Sequence, residues 1–337
     1  MSSTRPFTVL WLQAGSCGGC TMSALGADDV GLVRALSHFG IRLLWHPSLS
    51  EESGSDALAI LAEVEAGHVE LDCLCVEGAV LRGPGGSGRF QMLSGTGRPM
   101  KDWVHALAAR AGTVVAVGSC AAWGGVAAGG DNGTDAVGLQ WQGWEGGGAL
   151  GAGFRSRSGL PVVNVAGCAP HPGWIVETLA ALALGDMTPE RLDALGRPRA
   201  FADHLAHHGC GRNEFYEFKA SAQHHGQRGC LMENLGCKAT QAAGDCNLRR
   251  WNGAGSCTDG GFACIACTSP GFEAPAHAFL ETPKIAGIPV GLPVDMPKAW
   301  FVALAALSKS ATPQRVRTNA HADHVVVPPA RRAPRSP

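Results

Sequence analysis

The stretch Trp11-Leu12-Gln13-Ala14-Gly15-Ser16-Cys17-Gly18-Gly19-Cys20 decides how the rest of the chain is read. An apolar run over 7–12 reads as a buried strand, and it ends in glycines and two cysteines three residues apart. A helical pattern follows at once. Two thiols at a strand-to-helix turn, beside amides that favour negative charge, suit an iron–sulfur cluster. They suit a redox dithiol or half a zinc site equally well. The choice among these falls to the other eleven of the chain's 13 cysteines.

Working outward, residues 1–185 alternate strand-like and helix-like segments. Strands are expected at 7–12, 41–45, 69–76, 113–117 and 161–165, and helices at 21–39, 55–66, 99–111 and 172–184. Glycine-rich loops fill 82–98 and 124–159. Such a βα series predicts an α/β fold, a flavodoxin-like doubly wound parallel sheet. Cys17 and Cys20 follow the first strand, Cys120 the fourth and Cys168 the fifth. All four therefore fall beyond the carboxyl ends of strands, where open α/β sheets bind ligands. Four thiolates on one edge meet the ligand count of a 4Fe–4S cluster. Zinc also accepts four thiolates, but its structural sites favour compact paired spacings, so iron–sulfur is preferred. Cys73 and Cys75 alternate along the third strand and read as small core side chains. Glu77 ends that strand on the thiol edge, where it either caps a turn or, as a functional residue, orients backbone amides, relays protons or ligates iron. Asp131 and Asp135, in the loop after Cys120, are the other acids that a cluster on this edge could use.

Residues 186–200 read as a linker. Beyond it, 201–309 holds seven cysteines and few strand signals, so a loop-rich, metal-stabilised domain is expected. One group there is His207, His208, Cys210, Cys230 and Cys237. Histidines 204, 224 and 225 lie near enough that spacing alone does not choose the ligand. The other group is Cys246, Cys257, Cys264 and Cys267, in which Cys257 is either a fourth ligand or a buried thiol. A helix is expected near 298–308, and 310–337, with Arg331, Arg332 and Arg335, reads as a mobile tail.

Composition bounds the function. The chain has 337 residues, 27 basic and 28 acidic, for a net charge of −1, and only 16% are charged, against about 25% in ordinary soluble domains. No basic excess supports a nucleic-acid partner. Depletion of charge points to a large permanent protein interface, with an ordinary Gly/Ala-rich enzyme as the plainer reading. No secretory signal, twin-arginine leader or membrane-length apolar stretch stands in the sequence. A cytoplasmic chain without a membrane anchor is expected, and its thiols read as metal ligands rather than disulfides.

Eight motifs in this order then carry a resemblance: WLQAGSCGGC (11–20), VEGA (76–79), GSCAAWGG (118–125), AGCAPHP (166–172), HHGC (207–210), CLMENLGCK (230–238), CNLRRWN (246–252) and CIAC (264–267). Over about 7–308 the chain resembles the small, electron-transferring subunit of NiFe hydrogenases. That resemblance implies three iron–sulfur clusters. Cys17, Cys20, Cys120 and Cys168 would hold a proximal 4Fe–4S cluster. His207, rather than His208, would join Cys210, Cys230 and Cys237 at a distal 4Fe–4S cluster. Cys246, Cys264 and Cys267 would hold a medial cluster, 3Fe–4S, or 4Fe–4S if Cys257 is a ligand. It also implies an obligate large subunit that carries the Ni–Fe centre and splits hydrogen, an external electron acceptor of unknown identity, and a possible pairing of two heterodimers. The catalytic centre would thus lie outside this chain, with Glu77 supporting the proximal site from behind its ligands.

Gly19 and Gly125 stand where one oxygen-tolerant group has two further cysteines, so that group's six-cysteine cluster is excluded. Cys257, the extra residue in CLMENLGC and the CGGCTMS run look most like the actinobacterial-type, high-affinity uptake branch. The competing readings are a quinone-reductase subunit of the complex I type, similar in the first domain only, and a zinc-stabilised scaffold without redox function.

Overall fold

A computed structural model describes residues 5–27, 31–251, 253, 255–274, 284–285, 288–289 and 297–323. Five strands form the central sheet: β1 (Phe7–Gln13), β2 (Ile41–Trp45), β3 (Cys73–Glu77), β4 (Thr113–Val117) and β5 (Val163–Val165). Their order is β5-β4-β3-β1-β2, all pairs parallel. This is the flavodoxin-like winding that the alternation of elements predicts.

The strands are continuous apolar runs because both faces are covered. Leu10, Leu12, Leu74, Val76, Val114 and Ala116 face one core. It is closed by α3 (Gly54–Ala66), α4 (Met100–Arg110) and α5 (Ser119–Trp123). The alternate residues Val9, Trp11, Cys73, Cys75, Val115 and Val117 face a second core. That one is closed by α1 (Gly19–Leu25), α2 (Leu32–His38) and α6 (Pro172–Ala183). Cys73 and Cys75 are fully buried, as their alternation requires.

Several boundaries move. The helix expected at 21–39 is two helices, the first ending at Leu25 and the second starting at Leu32 after Gly31, which sits at φ +72°. The third strand starts at Cys73 rather than 69, because Asp72 is taken up by Arg5 and by the amide and hydroxyl of Thr8. Residues 124–159 are an ordered cover that buries Val137 and Leu139 and sets Trp141 edge-on against Trp123.

The expected linker 186–200 is packed down rather than loose. Leu192 is buried and Asp193 pairs with Arg197. Just beyond, Phe201 in α7 (Arg199–Ala202) stacks on Trp174 at 4.4 Å. Among the described residues from 203 to 274 the only helix of five or more residues is α8 (Asn213–Glu217), and a small core of alanines, cysteines, Leu231 and Met232 holds the loops. A helix, α9 (Lys298–Ala311), follows and exposes Trp300, Leu304 and Leu307.

The tail expectation needs correction. Residues 314–320 form α10 (Gln314–Ala320), with Val316 and Ala320 buried. The amides of Gly229 and Arg228 bond to the carbonyls of Ala320 and Ala322 and so fix this helix beside Cys230. Arg331, Arg332 and Arg335 lie outside the described residues. No helix among the described residues is long and apolar enough to cross a membrane.

Candidate functional site

The β1–α1 turn is built around one buried carboxylate. Glu77 is fully buried, which is costly for an ionised group unless donors surround it. They do. Its oxygens accept from Trp11 Nε1 (3.1 Å), Gln13 Nε2 (3.3 Å), Ser16 Oγ (2.9 Å), Thr21 Oγ1 (2.5 Å) and the amide of Cys20 (3.1 Å). Burial pushes this carboxyl up, but the bonds from Thr21, Ser16 and Gln13 outweigh it and leave Glu77 below the usual carboxylate range. Its oxygens are thus occupied in fixing the loop that bears Cys17 and Cys20. The third strand's exit is pressed onto the same loop: a Cβ at Gly78 (φ +91°) would sit 2.6 Å from the carbonyl carbon of Gly15.

Cys17, Cys20, Cys120 and Cys168 converge beyond the strand ends. Burial raises the Cys20 thiol well above its ordinary value, the charge of Glu77 adds to this, and Cys120, Cys17 and Cys168 follow. Cys120 and Cys168 are likewise raised, first by burial. Gly118 must be glycine here, since a Cβ would overlap Cys20 Sγ. The charged forms of Cys20, Cys120 and Cys168 are disfavoured, and with the exposed Cys17 beside them this donor set suits a soft cation or cluster. At position 125 a Cβ would stand 2.9 Å from Cys120 Sγ and 2.8 Å from its Cα. The extra cysteine of the six-thiolate arrangement therefore has neither a codon nor room.

The acids proposed for this edge are placed differently. Asp135 is ion-paired with Arg82 at 2.8 Å, and Asp131 is exposed. The acid whose charge reaches Cys120 and Cys168 is Glu273, from the second half of the chain. Its Oε2 is buried without a hydrogen-bond partner among the described residues, and burial raises its carboxyl. Nothing in the sequence marks it, because it stands 105 residues or more from either thiol.

A cavity of about 620 Å³ opens between the halves and is lined by Cys168, Trp174, Cys246, Trp251, Cys257 and Cys267, among others. Cys246 is pushed up to about 12 by burial, with Cys267 and Cys257 adding to it. Cys267 is pushed up to about 11, again by burial first. Cys257 lines this cavity as an exposed residue, yet burial of its thiol raises its pKa. Cys264 does not line the cavity but feels Cys237, Cys267 and Cys246.

A second, smaller cavity gathers His207, Cys210, Cys230 and Cys237, with Arg212 beside them. His207 lies edge-on to Tyr216 at 4.3 Å between ring centres. The neighbouring His208 turns away, its Nδ1 accepting from the amide of Leu205. Cys230 is pushed up to about 12, chiefly by burial. Arg212, which sequence reasoning passed over, is buried against these thiols and donates to the carbonyls of Thr258, Gln227 and Gly229.

The groups are joined through the backbone. The Cys168 backbone lies near enough to Cys267 to lower its thiol's pKa, and the Cys264 N–H donates to Cys237 Sγ at 3.3 Å.

Comparison with known proteins agrees with this arrangement. The family described as NADH ubiquinone oxidoreductase, 20 Kd subunit, matches residues 17–182, and the C-terminal family of NiFe/NiFeSe hydrogenase small subunits matches 203–280. The F420 non-reducing hydrogenase I small subunit of Methanosarcina mazei is 33% identical over 310 residues, covering 85% of this chain and 78% of that relative. The actinobacterial-type NiFe-hydrogenase from Ralstonia eutropha H16 superposes with a TM-score of 0.72 at 27% identity, covering 92% of this chain and 90% of the other. The NiFeSe hydrogenase from Desulfovibrio vulgaris Hildenborough gives 0.70 at 28%, covering 83% and 99%.

Proposed function

This chain belongs to the NiFe hydrogenase small-subunit family, and on that premise we propose that it relays electrons for a hydrogen-oxidising heterodimer through three iron–sulfur clusters. The observation that carries the reading is the grouping of twelve ligand-type side chains into three sets. The sets run from the sheet edge into the second half of the chain, with the Cys264 amide bonded to Cys237 Sγ at one junction and Ser119 bonded to the Cys267 carbonyl at the other.

Bound iron–sulfur clusters supply one-electron acceptance and release, at potentials set by cluster type, charge and hydrogen bonds to sulfur. Cys17, Cys20, Cys120 and Cys168 would hold the proximal cluster. Cys246, Cys264 and Cys267, with Cys257 as the fourth ligand, would hold a medial 4Fe–4S cluster. His207, Cys210, Cys230 and Cys237 would hold the distal one. Glu77 keeps the Cys17–Cys20 loop in place, and Arg212 sets a positive charge beside the distal thiolates. The roughly 620 Å³ between Cys246, Cys257 and Cys267 exceeds the needs of a single zinc ion, which favours clusters over a zinc scaffold.

Cys17 and Cys168 are exposed, and the sequence around the thiols carries exposed Met22, Leu25 and Val126. That apolar rim suits burial by the large subunit, which would hold the Ni–Fe centre. The complex I-type alternative is disfavoured, since its family model ends at 182 and a hydrogenase model covers 203–280.

Purification together with the large subunit should give hydrogen-dependent dye reduction. A heterodimer that is fully loaded with nickel and iron yet reduces no dye would overturn the reading.

A further inference from the structure

Ser119 opens α5, immediately before Cys120, and is only 1% exposed. Its hydroxyl accepts from the amide of Gly167 at 2.9 Å and donates to the carbonyl of Cys267. Its own amide bonds to the carbonyl of Gly167, also at 2.9 Å. Gly167 adjoins Cys168, so one small side chain ties together three loops that carry Cys120, Cys168 and Cys267. The last lies 148 residues away, in the other half of the molecule. The far side of the Cys267 loop is held independently. Thr268 Oγ1 donates to the carbonyl of Ala243 at 2.6 Å, and Arg197 Nη1 to that of Thr268 at 3.3 Å.

A buried serine usually does no more than satisfy nearby backbone groups. Here both partners adjoin ligands, and the ligands belong to two different sites. Taking the hydroxyl away would leave a buried N–H and a buried C=O unpaired on the two sides of that junction. The loops would then be free to separate where the two sites come closest. Electron tunnelling weakens steeply with each added ångström and with the loss of a hydrogen-bonded bridge.

We propose that Ser119 is a positioning residue that fixes the gap, and hence the electronic contact, between the proximal and medial sites. The proposal rests on reading Cys168 and Cys267 as ligands of those two clusters. The step served is a single electron transfer: the proximal site is oxidised as the medial site is reduced, with no bond made or broken.

The test uses the heterodimer with Ser119→Ala and Ser119→Thr, the second keeping the hydroxyl. Three quantities are read: iron per chain, amide hydrogen exchange over 166–170 and 265–269, and the magnetic interaction between proximal and medial electron paramagnetic resonance signals. In the Ala variant, iron should stay at the parent level while exchange in both segments rises roughly tenfold. The magnetic interaction should weaken, and the Thr variant should match the parent in all three. An Ala variant with the parent's exchange and the parent's magnetic interaction overturns the proposal. Should the Ala variant lose iron, full iron and parent-like coupling in the Thr variant support the hydroxyl's role, and loss in both variants overturns it. A parent protein without iron would instead defeat the cluster reading itself, and is told apart by that measurement alone.

Discussion

The two halves of the molecule hold their thiols by different means. In the first, Cys17, Cys20, Cys120 and Cys168 sit at the ends of strands clamped between two large cores of Leu, Val and Trp. In the second, the core is mostly alanine and includes Cys230 and Cys237 themselves. The first half thus places its thiols on a packed sheet, and is expected to stay folded without bound metal. In the second the proposed ligands are part of what is packed, so metal binding is expected to contribute folding free energy.

Four substitutions or treatments press on this contrast. The largest effect is expected from Cys168→Ala, which should abolish hydrogen-dependent dye reduction while amide exchange in β1, β3 and β4 stays as in the parent. Full dye reduction would show that Cys168 is not a ligand.

Next comes depletion of iron. Exchange protection over 203–274 should collapse, while 73–77 and 113–117 remain protected. Equal loss in both regions would erase the distinction between scaffolded and metal-held sites.

Cys257→Ala is expected to be milder. Iron should fall by about one per chain and a 3Fe–4S resonance should appear in the oxidised enzyme. Unchanged iron would exclude Cys257 from the medial ligands.

The smallest effect belongs to Cys73→Ala, a thiol on the scaffold side. It should cost about 1 kcal/mol of stability, the loss of one small buried group, and no iron. Iron loss there would contradict the assignment of Cys73 to the core.

The same contrast explains what was legible in the sequence. Strand ends and the thiols beyond them are local signals, so the α/β winding and the placing of Cys17, Cys20, Cys120 and Cys168 follow from patterns such as 113–117 leading into Cys120. His207 was separated from His208 only by resemblance, because adjacent histidines on a loop carry no periodicity. Glu273, Ser119 and Arg212 were missed for one reason. Glu273 meets the thiols from a distant segment, Ser119 and Arg212 bond across distant segments, and a single acid, serine or arginine gives no pattern of its own. The tail over 314–320 reads as polar, yet Val316 and Ala320 find cover on the Cys230 loop. Two buried side chains in seven residues are too faint a stripe to announce a helix.

The most direct test of the central claim is the iron and acid-labile sulfide content of the purified heterodimer, after allowing for the iron of the partner's Ni–Fe centre. Three four-iron clusters predict about twelve irons and twelve sulfides for each copy of this chain. Zinc in place of iron, or only about four irons for each copy, would contradict a three-cluster relay.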